Sequence, residues 1–171
     1  MNRWTKFALT ILALVSVAVA LPASDAFAQQ KSLKQQLVGT WIYTSSTSTR
    51  ADGTKTDRPG LKGIVIYTSD GHFALVNVRA DLPKLASPDR ARATAEEARA
   101  VVAGSIAYFG TYSVNEVDKV ITAIVEGGTF ANLIGTDQKR IITSLTADEL
   151  RFTNPRTPSG VTLEFVWKRA K

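Results

Sequence analysis

The chain has 171 residues, a formal charge of +6, one histidine and no cysteine. Without cysteine, disulfide bridges and a lipid anchor on cysteine are excluded, and a single histidine cannot assemble the usual ligand set of a zinc site. The basic residues are scattered among acidic ones, and no basic run interleaved with aromatic residues is present, which argues against nucleic acid as a partner. We therefore expect no metal, no cofactor and no nucleic-acid partner.

The first 28 residues have the pattern of an export signal. Arg3 and Lys6 are followed by the apolar run Phe7–Leu21, and Ala26-Phe27-Ala28 supplies small residues for a signal peptidase. This run of about 15 residues is short for a membrane-spanning helix, which needs about 20. We expect cleavage after Ala28, a periplasmic or secreted protein without a stable membrane anchor, and one domain over residues 29–171.

The segment after the signal is dominated by short alternating stretches separated by turn residues, which is typical of an all-β protein. Trp41–Thr47 reads as the first strand, and the polar stretch Ser48–Gly60 reads as a loop or excursion. Gly63–Thr68 and His72–Arg79 form a predicted hairpin, in which Gly71 supplies the positive φ that a tight turn needs.

One helix is predicted to interrupt the strands. Ser87 is a candidate N-cap, Pro88 suits a first helical turn, and Asp89–Val102 is rich in alanine, arginine and glutamate. Its apolar positions are mostly alanine, so its buried face is thin. We interpret it either as a lid or end-cap on the fold or as a surface crossover.

Five further strands are predicted after the helix. They are Tyr108–Val114, Lys119–Glu126, Gln138–Leu145, Glu149–Thr153 and Val161–Arg169. About eight strands joined in sequence by short turns would leave two exposed edges unless the sheet closed on itself. We therefore expect an antiparallel up-and-down barrel of about eight strands, with the helix between the third and fourth; a β-sandwich is the competing architecture.

Five motifs, in this order, resemble those of the bacterial lipocalin-like domain family. They are Leu37-Val38-Gly39-Thr40-Trp41; Gly63–Thr68 with Asp70-Gly71-His72; Tyr108-Phe109-Gly110-Thr111-Tyr112; Gly135-Thr136 with Gln138 and Arg140; and Val166-Trp167. The resemblance spans Leu33–Arg169 and implies a β-barrel of lipocalin or calycin type. In such a barrel Trp41 is expected to close one end rather than to contact a ligand.

Strand alternation selects the candidate binding residues. Glu126 and Arg140 end two strands joined by one loop, so we expect them to meet, and a guanidinium there could bind a carboxylate or a polar head group. An ordinary surface ion pair is the competing interpretation. Further candidates contribute hydroxyls to an apolar wall or line the far end of the barrel: Tyr67, Tyr108, Tyr112, Asn77 and Arg79.

Binding is favoured over catalysis, and no catalytic residue is assigned. His72 directly follows a turn glycine, where an exposed side chain is expected, and neither a phosphate-binding glycine loop nor a nucleophile elbow is present. We predict an exported barrel that binds a small apolar or amphipathic molecule; ligand identity and oligomeric state are left open. The alternatives are a cyclase, isomerase or hydrolase that uses Glu126 as acid or base and Arg140 as stabiliser, and an interaction module with a filled core.

Overall fold

A computed structural model describes residues 31–155, 157 and 160–171, and within them the chain forms one antiparallel sheet. The predicted signal peptide, residues 1–28, lies outside the described residues. The strands are β1 (Gly39–Thr49), β2 (Lys55–Asp57), β3 (Leu61–Tyr67), β4 (His72–Arg79), β5 (Ser105–Asn115), β6 (Val120–Gly128), β7 (Asp137–Leu145), β8 (Glu149–Asn154) and β9 (Thr162–Arg169). The helices are α1 (Leu33–Leu37) and α2 (Ala95–Gly104).

The sheet closes into a barrel because its first long strand pairs with its last. β1 pairs with β9 from Trp41 opposite Arg169 to Thr49 opposite Thr162. The other neighbours follow the chain from β3 to β9, so eight strands form a closed up-and-down barrel, as predicted. A closed barrel has no free edge strands, which removes the liability that an open sheet of this length would carry. The competing sandwich architecture is wrong.

The predicted strands are present with small shifts at their ends, and β4 has the predicted bounds. The turn between β3 and β4 is a tight hairpin in which Gly71 has a φ of 96°. The stretch interpreted as a loop contains β2, which pairs with the end of β1 through Thr47 opposite Asp57. β2 therefore extends a hairpin beyond the barrel wall.

The inserted helix starts later than its composition suggested. α2 begins after Thr94, whose hydroxyl accepts from the Glu97 amide while the Glu97 carboxylate accepts from the Thr94 amide. This capping box satisfies two amides that a helix start otherwise leaves unpaired. The prediction of a start at Ser87 was wrong: the Ser87 hydroxyl accepts instead from the Asp89 amide, ahead of a separate 3₁₀ turn, Arg90–Arg92.

A short helix that the sequence did not predict seals one end of the barrel. α1 places Leu37 in the core, and the Trp41 indole donates to the Leu37 carbonyl at 2.8 Å. The Arg169 guanidinium lies 4.0 Å from the centre of the Trp41 ring and donates to the carbonyls of Val38 and Gln36. We call α1, Trp41 and Arg169 the basal clamp; it makes this end the floor of the barrel.

No helix among the residues that the structure describes is long and apolar enough to cross a membrane.

Candidate functional site

The barrel interior is sealed at the floor and partly open toward the other end, which we call the mouth. The long connections, including the one that carries α2, are at the mouth. Six side chains near the floor have no exposed surface: Leu37, Trp41, Val65, Ile121, Leu150 and Trp167. By strand alternation, five others point inward closer to the mouth and are only partly buried: Tyr43, Asn77, Ile106, Gln138 and Leu163. The inward side chains near the mouth are therefore less completely buried than those near the floor.

Arg140 lies inside the barrel, at the boundary between these two halves. Its side chain is on β7 and only 8% of the residue is exposed. The guanidinium donates to the Tyr108 hydroxyl at 3.0 Å and to the Lys139 carbonyl at 2.9 Å. Its central carbon lies 6.0 Å from the centre of the Phe152 ring, within cation–π range. An always-charged group is thus held by two neutral oxygens and an aromatic face.

No carboxylate balances this charge within the described residues. The ion pairs found there are at the surface and join Asp70 to His72, Asp81 to Arg79 and Glu149 to Arg151. A buried charge without a partner is costly, and native proteins normally pair such a group or give it a ligand. The upper half of the barrel therefore has, at its lower end, a positive charge that no described carboxylate balances.

Tyr67 adds a neutral hydroxyl near this charge. The residue is 4% exposed, and burial raises the pKa of its hydroxyl far above the ordinary value, although the charge of Arg140 acts in the opposite direction. A tyrosine hydroxyl is protonated in the physiological range even at its ordinary pKa, so Tyr67 can donate a hydrogen bond. We call Tyr67, Tyr108 and Arg140 the inner polar cluster.

An aromatic wall lies beside the inner polar cluster. Phe152, on which Arg140 packs, lies 5.4 Å from Phe165 and 6.2 Å from Trp167, measured between ring centres. Tyr43 meets the edge of Trp167 at 5.6 Å and continues the wall toward the mouth. The Trp167 indole N–H is buried and has no hydrogen-bond partner among the described residues. The wall thus consists of two buried rings, Phe152 and Trp167, and two partly exposed rings, Phe165 and Tyr43.

Asn77 reaches the interior because the residue opposite it is glycine. Asn77 pairs with Gly63 across β3 and β4, and a Cβ atom at Gly63 would lie 2.0 Å from the Asn77 amide oxygen. That oxygen is buried without a hydrogen-bond partner in the described part of the chain. A recess of about 470 Å³ opens nearby, between residues 43–47 of β1 and residues 57–61.

The predicted meeting of Glu126 with Arg140 does not occur. β6 and β7 pair with Ile121 opposite Arg140 and Thr122 opposite Lys139, so even-numbered residues of β6 lie on the face opposite to Arg140. Glu126 is accordingly on the outer face of the barrel and exposed. A displacement of one residue in register reverses the face of every side chain, and that is the physical reason for the error.

Two other predicted site residues make hydrogen bonds within the protein and lie outside the inner polar cluster. Arg79 lies at the exposed end of β4, where its guanidinium donates to Asp81. Tyr112 points inward near the floor, and its hydroxyl donates to the Thr68 carbonyl at 2.8 Å in the turn before β4. Of the seven predicted residues, the structure groups Tyr67, Tyr108 and Arg140, and Asn77 lies nearer the mouth.

Sequence reasoning missed Phe152 and Tyr43 as interior residues. Phe152 shares a face of β8 with the buried Leu150, so the alternation of that strand carried the signal. Tyr43 follows Trp41 on the same face of β1, but β1 has an irregularity in its pairing with β9 between Tyr43 and Ser45. Tyr43 precedes this bulge, so alternation from Trp41 also carried the signal for its inward position.

Comparison with known proteins gives one family and several similar solved structures. A family model described as a lipocalin-like domain matches residues 38–170. A lipocalin-like protein from Bacteroides uniformis is 15% identical, with a TM-score of 0.44 over 79% of this chain and 99% of that one. A second protein from Bacteroides uniformis, determined by NMR, is 13% identical, with a TM-score of 0.44 over 81% of this chain and 92% of that one. No curated protein matches the chain.

Proposed function

The chain belongs to the lipocalin-like domain family, and from that premise we propose that it binds a small amphipathic molecule in the upper half of its barrel. The proposal rests on the difference in side-chain burial between the two ends of the barrel interior. The floor is sealed by the basal clamp, whereas inward side chains such as Ile106 and Leu163 are partly exposed. An apolar recess with a few polar groups at its base is the usual form of a small-molecule site.

The two alternative functions receive less support. The enzyme hypothesis required Glu126 beside Arg140, and these side chains are on opposite faces of the sheet. The carboxylate that this hypothesis assigned as acid or base is therefore absent from the inner polar cluster. A filled interaction module would be expected to bury its inward side chains up to the mouth, which argues against it here.

A pair of neighbouring substitutions on β9 tests the proposed site. Leu163 points inward below the mouth and Glu164 points outward. Leu163→Trp should fill the upper interior and weaken binding of the uncharged dye N-phenyl-1-naphthylamine about tenfold or more. Glu164→Trp adds the same indole outside and should leave the dye affinity unchanged. Titration of the dye by its own fluorescence provides the measurement.

Two outcomes of this test would refute the proposed function. The first is a parent protein that does not bind the dye. The second is equal affinity in both variants, because the dye would then be bound on the outer surface of the barrel.

We further propose that the chain acts in the periplasm or outside the cell. The basis is the export pattern of residues 1–28. When the full chain is expressed in a Gram-negative bacterium, the protein should be recovered from the periplasm or the medium with Gln29 as its first residue. Intact-mass measurement of the purified protein checks this. A cytoplasmic product that retains residues 1–28 would refute it.

A further inference from the structure

The inner polar cluster assigns a chemical class to the ligand. We infer that the molecule bound in the barrel is an organic monocarboxylate, whose head group contacts the Arg140 guanidinium and the Tyr108 hydroxyl. This inference rests on the proposed function, since it names what the same site binds.

The Arg140 guanidinium has more N–H donors than the hydrogen bonds that it makes to the described residues. It has five N–H donors, and the described residues accept two hydrogen bonds from it, at the Tyr108 hydroxyl and the Lys139 carbonyl. Both acceptors are neutral, so the positive charge itself is unbalanced. A carboxylate is planar and can accept two parallel N–H bonds from a guanidinium.

The surroundings favour a single negative charge on an apolar body. Arg140 is the one charged residue among those buried in the described part of the chain. A phosphate monoester, which is close to doubly charged at neutral pH, would keep an uncompensated charge in an apolar site. A monocarboxylate would be neutralised, with Tyr67 available as a further neutral donor. Phe165 and Tyr43, the partly exposed members of the aromatic wall, offer contact area to the rest of the molecule.

The position of the cluster also fixes the orientation of the ligand. Arg140 lies directly above the sealed floor, and the partly exposed inward residues Ile106 and Leu163 lie between it and the mouth. The carboxylate therefore enters first, and the apolar portion of the molecule extends toward the mouth. An acid with its charge at one end fits this arrangement.

Displacement of the uncharged dye by two matched compounds tests the ligand class. Decanoate and decanol share an alkyl chain and differ in the head group. Decanoate should displace the dye from the parent protein at about tenfold or more lower concentration than decanol, because a hydrogen bond to a charged partner is the stronger one. Arg140→Met should abolish this preference and leave decanol displacement unchanged.

Two control variants separate this effect from general charge and from folding. Arg151→Met removes the same charge from an exposed arginine on β8, and it should preserve the preference for decanoate. Tyr108→Phe removes a single hydroxyl from the proposed site and should weaken decanoate alone by a few fold. This second variant keeps the test valid even where Arg140→Met does not fold.

The possible results distinguish this inference from the proposed function. Equal displacement by decanoate and decanol in the parent would overturn the carboxylate class and leave barrel binding intact. Loss of the preference in Arg151→Met would also overturn it, because general surface charge would then explain the effect. Displacement of the dye by inorganic phosphate as readily as by decanoate would show an unselective anion site and refute the inference. Failure of the parent to bind the dye would refute the proposed function itself.

Discussion

Trp41→Ala should lower the free energy of unfolding by about 3–5 kcal/mol, the range for removal of a large buried aromatic side chain. The indole has no exposed surface, donates a hydrogen bond to the Leu37 carbonyl and carries the Arg169 guanidinium on its ring. The substitution therefore leaves a cavity at the floor and removes the surface on which Arg169 packs. Urea unfolding followed by far-ultraviolet circular dichroism measures the change.

Val117→Ala is the control for this substitution. Val117 lies in the turn before β6 and is 89% exposed, so its replacement should change the unfolding free energy by less than about 0.5 kcal/mol. A loss below about 1 kcal/mol in Trp41→Ala would contradict the role of the basal clamp. It would show that β1 and β9 hold the floor closed without the indole.

Arg140→Met should make the protein without ligand more stable, by up to about 4 kcal/mol, the upper end of the range for buried ion pairs replaced by apolar residues of similar size. The charge of Arg140 is buried and unbalanced by any acid in the described residues. Methionine fills a similar space beside Phe152 without this cost. Thermal unfolding of the two proteins in the absence of added acid measures the difference.

The opposite behaviour is expected once the proposed ligand is added. Decanoate should raise the melting temperature of the parent protein, because a ligand that binds only the folded state stabilises it. It should have little effect on Arg140→Met.

Arg151→Met, which loses an exposed arginine, is the control for the stability change and should stay within about 0.5 kcal/mol of the parent. If Arg140→Met is less stable than the parent by more than about 1 kcal/mol, the hydrogen bonds to Tyr108 and Lys139 outweigh the cost of the buried charge.

Local patterns in the sequence were sufficient to predict most of the barrel. Alternation over stretches such as His72–Arg79 is a direct product of strand geometry, so it located the strands closely. The start of α2 was missed although Thr94 and Glu97 have the spacing of a capping box. The prediction followed Ser87 and Pro88, which also have the residue types of a helix start.

The candidate site was predicted less completely because it depends on pairing between strands. Arg140 and Tyr108 were both proposed from the sequence, but the hydrogen bond between them joins strands that are not neighbours in the sheet. The partner assigned to Arg140 was wrong, since the side on which Glu126 lies is decided by the register of β6 with β7. Register follows from the packing of the whole barrel and cannot be counted from the length of one loop.

The pairing of β1 with β9 has a consequence for how the chain folds. Trp41 lies opposite Arg169, so the contacts that complete the barrel join residues from the two extremes of the domain. Such contacts are entropically costly to form early, and chains dominated by them fold slowly. During synthesis, the edge of β1 that pairs with β9 stays unpaired until β9 has emerged. That interval, rather than the finished barrel, is when this chain is most exposed to aggregation.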